Sequence, residues 1–261
     1  LQQQHKNYQE ELMLATEIQR AILPENSPEW ENTITEWSDR VRIKTLYSHA
    51  SELAGDFYDV ISISKHKIGF LIIDVMGHGV RSAIIVSLIR GLMEQAEQLA
   101  PQPALYLEKI NDGLTNILQK ASITLFASAC YTLVDFKSNK MTISCAGHDF
   151  PIIEFKQNQT TGDKDTISKG LALGILAGTQ YSETVYPLDD IRSVLLFTDG
   201  IYEASNSNDE EWGIENLQQE FNNAHTSHMP STVQHLYGSA TKWMGHTQFQ
   251  DDVCLLNLEI V

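Results

Sequence analysis

The sequence is poor in cysteine and in positive charge. Its 261 residues include only Cys130, Cys145 and Cys254, none in C-x-x-C spacing and each inside an apolar, strand-like run. That count argues against a disulfide framework and predicts reduced thiols in the core of a cytoplasmic protein. Lys and Arg number 18 against 34 acidic residues, a formal charge of −16. Nucleic acids and anionic membranes both reward cations, so neither is the expected partner. No apolar run reaches the ~18 residues a membrane span needs, and no signal peptide is present. A G-x-x-x-x-G-K-[ST] loop is also missing, which removes kinase and NTPase readings built on that loop. The chain starts at Leu1 and enters a helical pattern at once. It reads as a C-terminal piece of something longer.

What is present begins with an amphipathic helix from Tyr8 to Leu23, stopped by Pro24. Its narrow apolar stripe suits either packing on its own domain or a two-helix seam, the latter a dimerising or signal-carrying device. The expected division is 1–24 as linker helix and 25–261 as the main domain. Residues 25–39 are polar and read as a connection. Strands are expected at 41–47, 56–63, 68–73, 124–136, 141–146, 152–155, 184–187, 193–197 and 253–260. Helices are expected at 80–99, 104–119, 214–224 and 231–244, and 157–169 reads as a mobile surface loop. Many antiparallel strands with two inserted helix pairs predict an α+β layered sandwich, an antiparallel β-sandwich flanked by helix pairs, with an N-terminal helical extension.

Aspartates recur where these strands begin and end. Asp56 and Asp59 lie at a strand start, Asp74 ends the apolar run 68–73, Asp199 follows the run 193–197, and Asp251-Asp252 precede the last strand. A buried carboxylate costs several kcal/mol unless a cation neutralises it. No Lys or Arg lies between Asp56 and Asp59, and none flanks Asp74, so a metal is the first candidate. Mg²⁺ and Mn²⁺ prefer such oxygen ligands, and two ions a few ångströms apart suit phosphoryl transfer. Each piece alone has a plain reading: Asp199-Gly200 as a turn, Asp251-Asp252 as a solvated loop end, Gly77 and Gly79 as a tight strand-to-helix turn.

Taken in order, Ala54-Gly55-Asp56-Phe57-Tyr58-Asp59, Asp74-Val75-Met76-Gly77-His78-Gly79, Ala146-Gly147-His148, Thr198-Asp199-Gly200 with Glu203-Ala204, and Asp251-Asp252 form a set. This set resembles the bacterial metal-dependent protein phosphatases of the PPM (PP2C-like) superfamily, SpoIIE/RsbU type. Glu11-Leu12, Ala15, Ile18-Gln19 and Leu23-Pro24 are similar to the helix that leads into those domains. The resemblance implies PP2C-like α-β-β-α layers and a Mn²⁺- or Mg²⁺-dependent serine/threonine phosphatase with two ions. It also implies a small phosphoprotein substrate, often an anti-sigma-factor antagonist of the STAS type, and an upstream sensor or receiver module. A homodimer through the N-terminal helix would fit the same picture.

Carried over residue by residue, Asp74 would bridge two metals, with the Val75 carbonyl as a further ligand. Asp199 and Asp251 would hold one ion, and Asp56 would bind directly or through water. Asp252 is the secondary candidate, and Asp59 would brace the loop by hydrogen bonding. The pattern departs at Ala54, where the family has Gly, which asks whether residue 54 needs a positive φ. It departs again at Met76, where a small residue is common. His78 reads as a general acid or as part of a turn, and His148 as a strand-end hydrogen-bonding group or a lining group. Arg81 is the nearby phosphate-binding candidate. A catalytically silent, partner-binding relative is the competing reading; retention of so many costly acids speaks against it.

Overall fold

The computed structural model describes residues 13–17, 19, 21, 23–24, 30–51, 53–77, 79–156, 168–226 and 231–261. Strands β1 (Val41–Ser48), β2 (Asp56–Ser64), β3 (Lys67–Val75), β4 (Ala127–Asp135), β5 (Lys140–Ala146), β6 (Ile152–Phe155), β7 (Thr184–Pro187), β8 (Ile191–Phe197) and β9 (Val253–Ile260) make two sheets. One runs β1-β9-β8-β6 and the other β2-β3-β4-β5-β7. Every pairing within them is antiparallel. Helices α1 (Trp30–Trp37), α2 (Val80–Gln95), α3 (Pro103–Ala121), α4 (Ile214–Thr226) and α5 (Thr232–Met244) complete the fold.

Side-chain alternation explains the layering. On β3, Ile68, Phe70 and Ile72 point between the sheets, where they meet Val194, Leu196, Leu256 and Leu258. Leu71, Ile73 and Val75 point the other way, onto Ile85, Ile89, Leu107 and Leu114 of α2 and α3. A strand buried on both faces needs a continuous apolar run, and the sequence of β3 supplies one. On the opposite sheet, Val253 and Leu255 of β9 pack outward on Leu217, Phe221 and Leu236 of α4 and α5. Three apolar layers thus separate four layers of structure, α-β-β-α, as the resemblance implied.

The sequence reading differs from the structure in detail. Residues 30–37 are helical rather than a connection. Trp30, Ile34 and Trp37 recur at helical spacing and close the rim of the inter-sheet core, and Trp37 is buried against Phe136. A short polar helix beside Pro28 carries too little periodicity to stand out. The 124–136 strand contracts to β4, and helix 80–99 ends at Gln95 with a 3₁₀ turn after it. Residues 13–17, 19 and 21 are helical, while the start of the 8–23 helix, the boundary at 24–25 and most of the 157–169 loop lie outside the described residues. The three cysteines are buried and free.

Candidate metal centre

Asp56 and Asp74 stand directly opposite each other on β2 and β3, and Ser128 of β4 stands opposite Asp74 on its other side. Opposed residues on neighbouring antiparallel strands share a face with Cβ atoms about 5 Å apart. Both carboxylates therefore emerge on one edge of the five-stranded sheet. The four-stranded sheet meets that edge with the end of β8 and the start of β9. Thr198 Oγ1 donates to Asp56 Oδ2 at 2.6 Å and accepts from the Cys254 amide at 2.9 Å. One hydroxyl so joins the two sheets at the strand that delivers Asp199.

Glycines allow the close approaches. A Cβ on Gly200 would lie 2.0 Å from the Asp252 carbonyl, so the Thr198-Asp199-Gly200 turn seats against the Asp251-Asp252 backbone only because residue 200 has none. A Cβ on Gly55 would lie 2.8 Å from the Val75 carbonyl and 2.7 Å from that of Gly77, so only a residue without one lets the loop ahead of β2 sit against the turn after β3. Ala54 is not among the residues of positive φ, so its methyl costs nothing in backbone strain. Both of its backbone polar groups are held by Gln19, whose Nε2 donates to the Ala54 carbonyl at 2.6 Å and whose Oε1 accepts from its amide at 3.0 Å. The N-terminal helix therefore grips the chain two residues before Asp56.

The electrostatics are those of crowded anions. Burial, then repulsion from Asp74, lifts Asp56 well above the usual carboxylate range despite the Thr198 hydrogen bond. Burial, then Asp199 and Asp251, pushes Asp74 up to about 7. Burial followed by Asp251 raises Asp199, and burial followed by Asp199 raises Glu203. Among the described residues, none of the ion pairs reaches Asp56, Asp74, Asp199 or Asp251. No three His, Cys, Asp or Glu side chains close on a single point among them either. A repelling set of this kind suits Mg²⁺ or Mn²⁺, which needs only one or two carboxylates per ion and keeps several waters. The Val75 carbonyl is a hard oxygen of the class such an ion takes.

The remaining residues sort by their partners. Both Asp252 oxygens accept backbone amides, Oδ1 from Ala50 at 2.8 Å and Oδ2 from Gly55 at 2.7 Å, which pins the loop ahead of β2. Asp251 is exposed. Asp59 lies within β2 and pairs with Arg90 of α2 at 2.9 Å. His148 is buried, with Nε2 3.0 Å from the Phe197 carbonyl and Nδ1 2.6 Å from Ser128 Oγ. A carbonyl only accepts, so Nε2 carries the hydrogen and Nδ1 receives the serine hydroxyl. Burial holds the imidazole neutral, down to about 4. His148 is thus a strand-end tie between the serine opposite Asp74 and the residue two before Asp199. His78 lies outside the described residues, and Arg81 is exposed at the start of α2. Gly77 and Gly79 have φ of 81° and 88°, which only glycine adopts cheaply.

Sequence reasoning quoted Thr198 without assigning its hydroxyl, and passed over Ser128. Neither role has a sequence signal of its own, because each depends on inter-strand register. Asp149 was also missed; it accepts from Tyr202 Oη at 2.7 Å and pairs with Lys169 beside the acid cluster.

Comparison with known proteins follows this geometry. Over the full length of both chains, the fold superposes with a TM-score of 0.81 on the SiaA-PP2C domain of Pseudomonas aeruginosa, at 19% identity. On the SpoIIE phosphatase structure of Bacillus subtilis it superposes with a TM-score of 0.66, at 17% identity, covering 85% of this chain and 63% of that one. The phosphoserine phosphatase RsbU of Bacillus subtilis is 26% identical over 254 residues, 95% of this chain and 69% of that protein. The phosphoserine phosphatase RsbP of the same organism is 26% identical over 209 residues, 79% of this chain but only 48% of that protein. The chain therefore spans about half the length of RsbP. The model of the family described as Stage II sporulation protein E (SpoIIE) matches residues 64–261, which takes in Asp74, Asp199, Asp251 and all but the first strands of both sheets: the chain belongs to the SpoIIE family.

Proposed function

We propose that this chain is a Mn²⁺- or Mg²⁺-dependent protein serine/threonine phosphatase acting on a small regulatory phosphoprotein of the STAS antagonist type. One observation carries the reading. Carboxylates from four strand ends of two sheets meet on one edge, where burial and crowding raise the proton affinity of Asp56, Asp74 and Asp199, and none of the four has a Lys or Arg partner among the described residues. The names of RsbU and RsbP, both phosphoserine phosphatases, support it.

In this reading Asp56, Asp74, Asp199 and Asp251, with the Val75 carbonyl, hold two ions, and Asp252 braces the loop that carries Asp56. When bound, such ions supply an acidified water and a clamp for the phosphoryl group. The chain's own residues do the positioning. Thr198 fixes the rotamer of Asp56, His148 ties the Ser128 and Phe197 strand ends, and Gly55 and Gly200 let backbone approach backbone. His148 is not a proton donor to a leaving group, since both ring nitrogens are engaged inside the protein. An upstream sensor module would act through the N-terminal helix, whose Gln19 grips Ala54, and a homodimer of that helix would do the same. The cytoplasm is the compartment that suits three free, buried cysteines, and no described helix is long and apolar enough to cross a membrane.

The test is turnover of p-nitrophenyl phosphate and of a phosphoserine protein, with Mn²⁺ or EDTA, by wild type and Asp199→Ala. Losing one metal carboxylate is expected to cost at least ~100-fold, the scale of removing one transition-state contact. Activity in EDTA, or full activity in Asp199→Ala, would refute the two-metal reading. A folded protein silent on both substrates would favour a partner-binding relative.

A further inference from the structure

Beside the acid cluster lies a surface of the opposite character. Residues 75–93 and 113–134 contain no Asp or Glu, a run of acid-free sequence in a chain with 34 acids among 261 residues. The fold brings these two stretches together. A Cβ on Gly113 of α3 would touch the Leu92 side chain of α2, which places the crossing of the two helices there. From that crossing α2 runs back toward Ile84 and Val80 while α3 runs forward to Ile117. Beyond α3 the chain passes Ile123 to Phe126, whose carbonyl accepts the Met76 amide at 3.1 Å. Met76, Val80, Ile84, Ile117, Ile123 and Phe126 are all large and apolar, and each is between 37% and 55% exposed. They include six of the fifteen large apolar side chains exposed on the described residues. Single exposed apolar residues are ordinary, but several gathered along two crossing helices and the turns beside them mark an interaction surface. The cations on it are Arg81 and Lys120, both exposed.

We propose that this face docks the phosphoprotein substrate, and that its partner is an acidic protein surface with apolar side chains flanking the phosphoserine. The inference rests on the phosphatase reading above and names what that site prefers. Position argues for it first. Met76 lies two residues after Asp74, so a protein whose phosphoserine reaches the acid cluster covers the Met76–Ile84 end of the patch. Charge argues second. A phosphate-bearing, acidic partner is repelled by most of a chain of charge −16, and like charges brought together across an interface cost several kcal/mol. The acid-free face with Arg81 and Lys120 is where that partner meets cations and apolar surface instead.

The test compares two synthetic phosphoserine dodecapeptides, one with Glu and Leu around the phosphoserine and one with Lys and Gly, alongside p-nitrophenyl phosphate. The 261-residue chain and its Ile84→Glu and Lys120→Glu variants are assayed with Mn²⁺. Wild type should show a KM about tenfold lower for the Glu/Leu peptide, and either substitution should shrink that gap to about twofold or less. Turnover of p-nitrophenyl phosphate should stay unchanged, since it needs the metal centre alone. Equal KM values in wild type, or a preference that survives both substitutions, would overturn the proposal while leaving the phosphatase reading intact. Loss of turnover on all three substrates in wild type would instead strike that reading. Fluorescence polarisation with labelled peptides then makes the same comparison by binding. Sedimentation of Ile84→Glu closes the remaining route: a dimer that becomes a monomer would show the face covered by a second copy, against the proposal.

Discussion

Thr198 shows how much one side chain carries. Its hydroxyl is at once the acceptor for a buried amide and the donor to a buried carboxylate. Thr198→Val keeps the shape and leaves the Cys254 amide and Asp56 without it. The expected loss is about 1–3 kcal/mol of stability, the cost of a buried polar group left unmade, together with weaker Mn²⁺ binding. Thr198→Ser should restore most of both. Denaturant midpoints and Mn²⁺ titration calorimetry check this, and a valine variant equal to wild type in both would dismiss the tie.

Asp74 gives a second residue-scale outcome, in pH. Burial and the neighbouring acids raise its pKa on folding to about 7, so between the ordinary carboxylate range and that value the metal-free fold binds a proton that the unfolded chain has already lost. Stability is then fully present below about pH 4 and declines as pH rises through about 7. In EDTA, melting temperature should fall between about pH 5 and pH 8, and saturating Mn²⁺ should flatten or reverse the slope by taking the proton's place. A metal-free melting temperature that rises over that interval would contradict the crowding of these acids.

At the scale of elements, the N-terminal helix and α2 approach the centre from different sides. Gln19 reaches the Ala54 backbone, while the Asp59–Arg90 pair ties β2 to α2. Gln19→Ala removes two hydrogen bonds from the loop that presents Asp56, while its ties to Asp252, Val75 and Gly79 remain. At about 1 kcal/mol net for each bond, the full loss would be roughly thirtyfold, and with about half of it felt at the metal, Mn²⁺ affinity should weaken by roughly three- to tenfold. Calorimetric titration of the full chain would show it; an unchanged affinity would mean the helix grips without tuning. α2 begins at the Gly77–Gly79 turn, so a shift of that helix acts on Asp74 and Val75 from the other end.

The whole molecule explains what was legible in advance. Strand ends, helix pairs and the aspartates were readable because apolar runs and Asp-Gly punctuation are local signals. The α-β-β-α order came from resemblance, and β3, buried on both faces, agrees with it. The α1 helix was hidden because eight polar-rich residues give no lasting period, and Trp37 buries itself by tertiary packing alone. The Ser128–His148–Phe197 tie was hidden for a different reason: Ser128 and Phe197 lie on strands of different sheets and His148 just past the end of β5, and nothing in their sequence spacing encodes that meeting. The Asp251-Asp252 pair was legible, but not that both Asp252 oxygens accept the backbone amides of Ala50 and Gly55, some two hundred residues away.

The seam between the sheets has a mechanical meaning. One sheet brings Asp56 and Asp74, and the other brings Asp199 and Asp251, so neither plate of the sandwich owns a whole site. A cation held there would act as a rivet, and its grip would report how closely the plates are pressed together. Any event that slides one plate against the other, whether a loosened core or a pull on the N-terminal helix, would be felt first as slack at the rivet, well before the plates come apart.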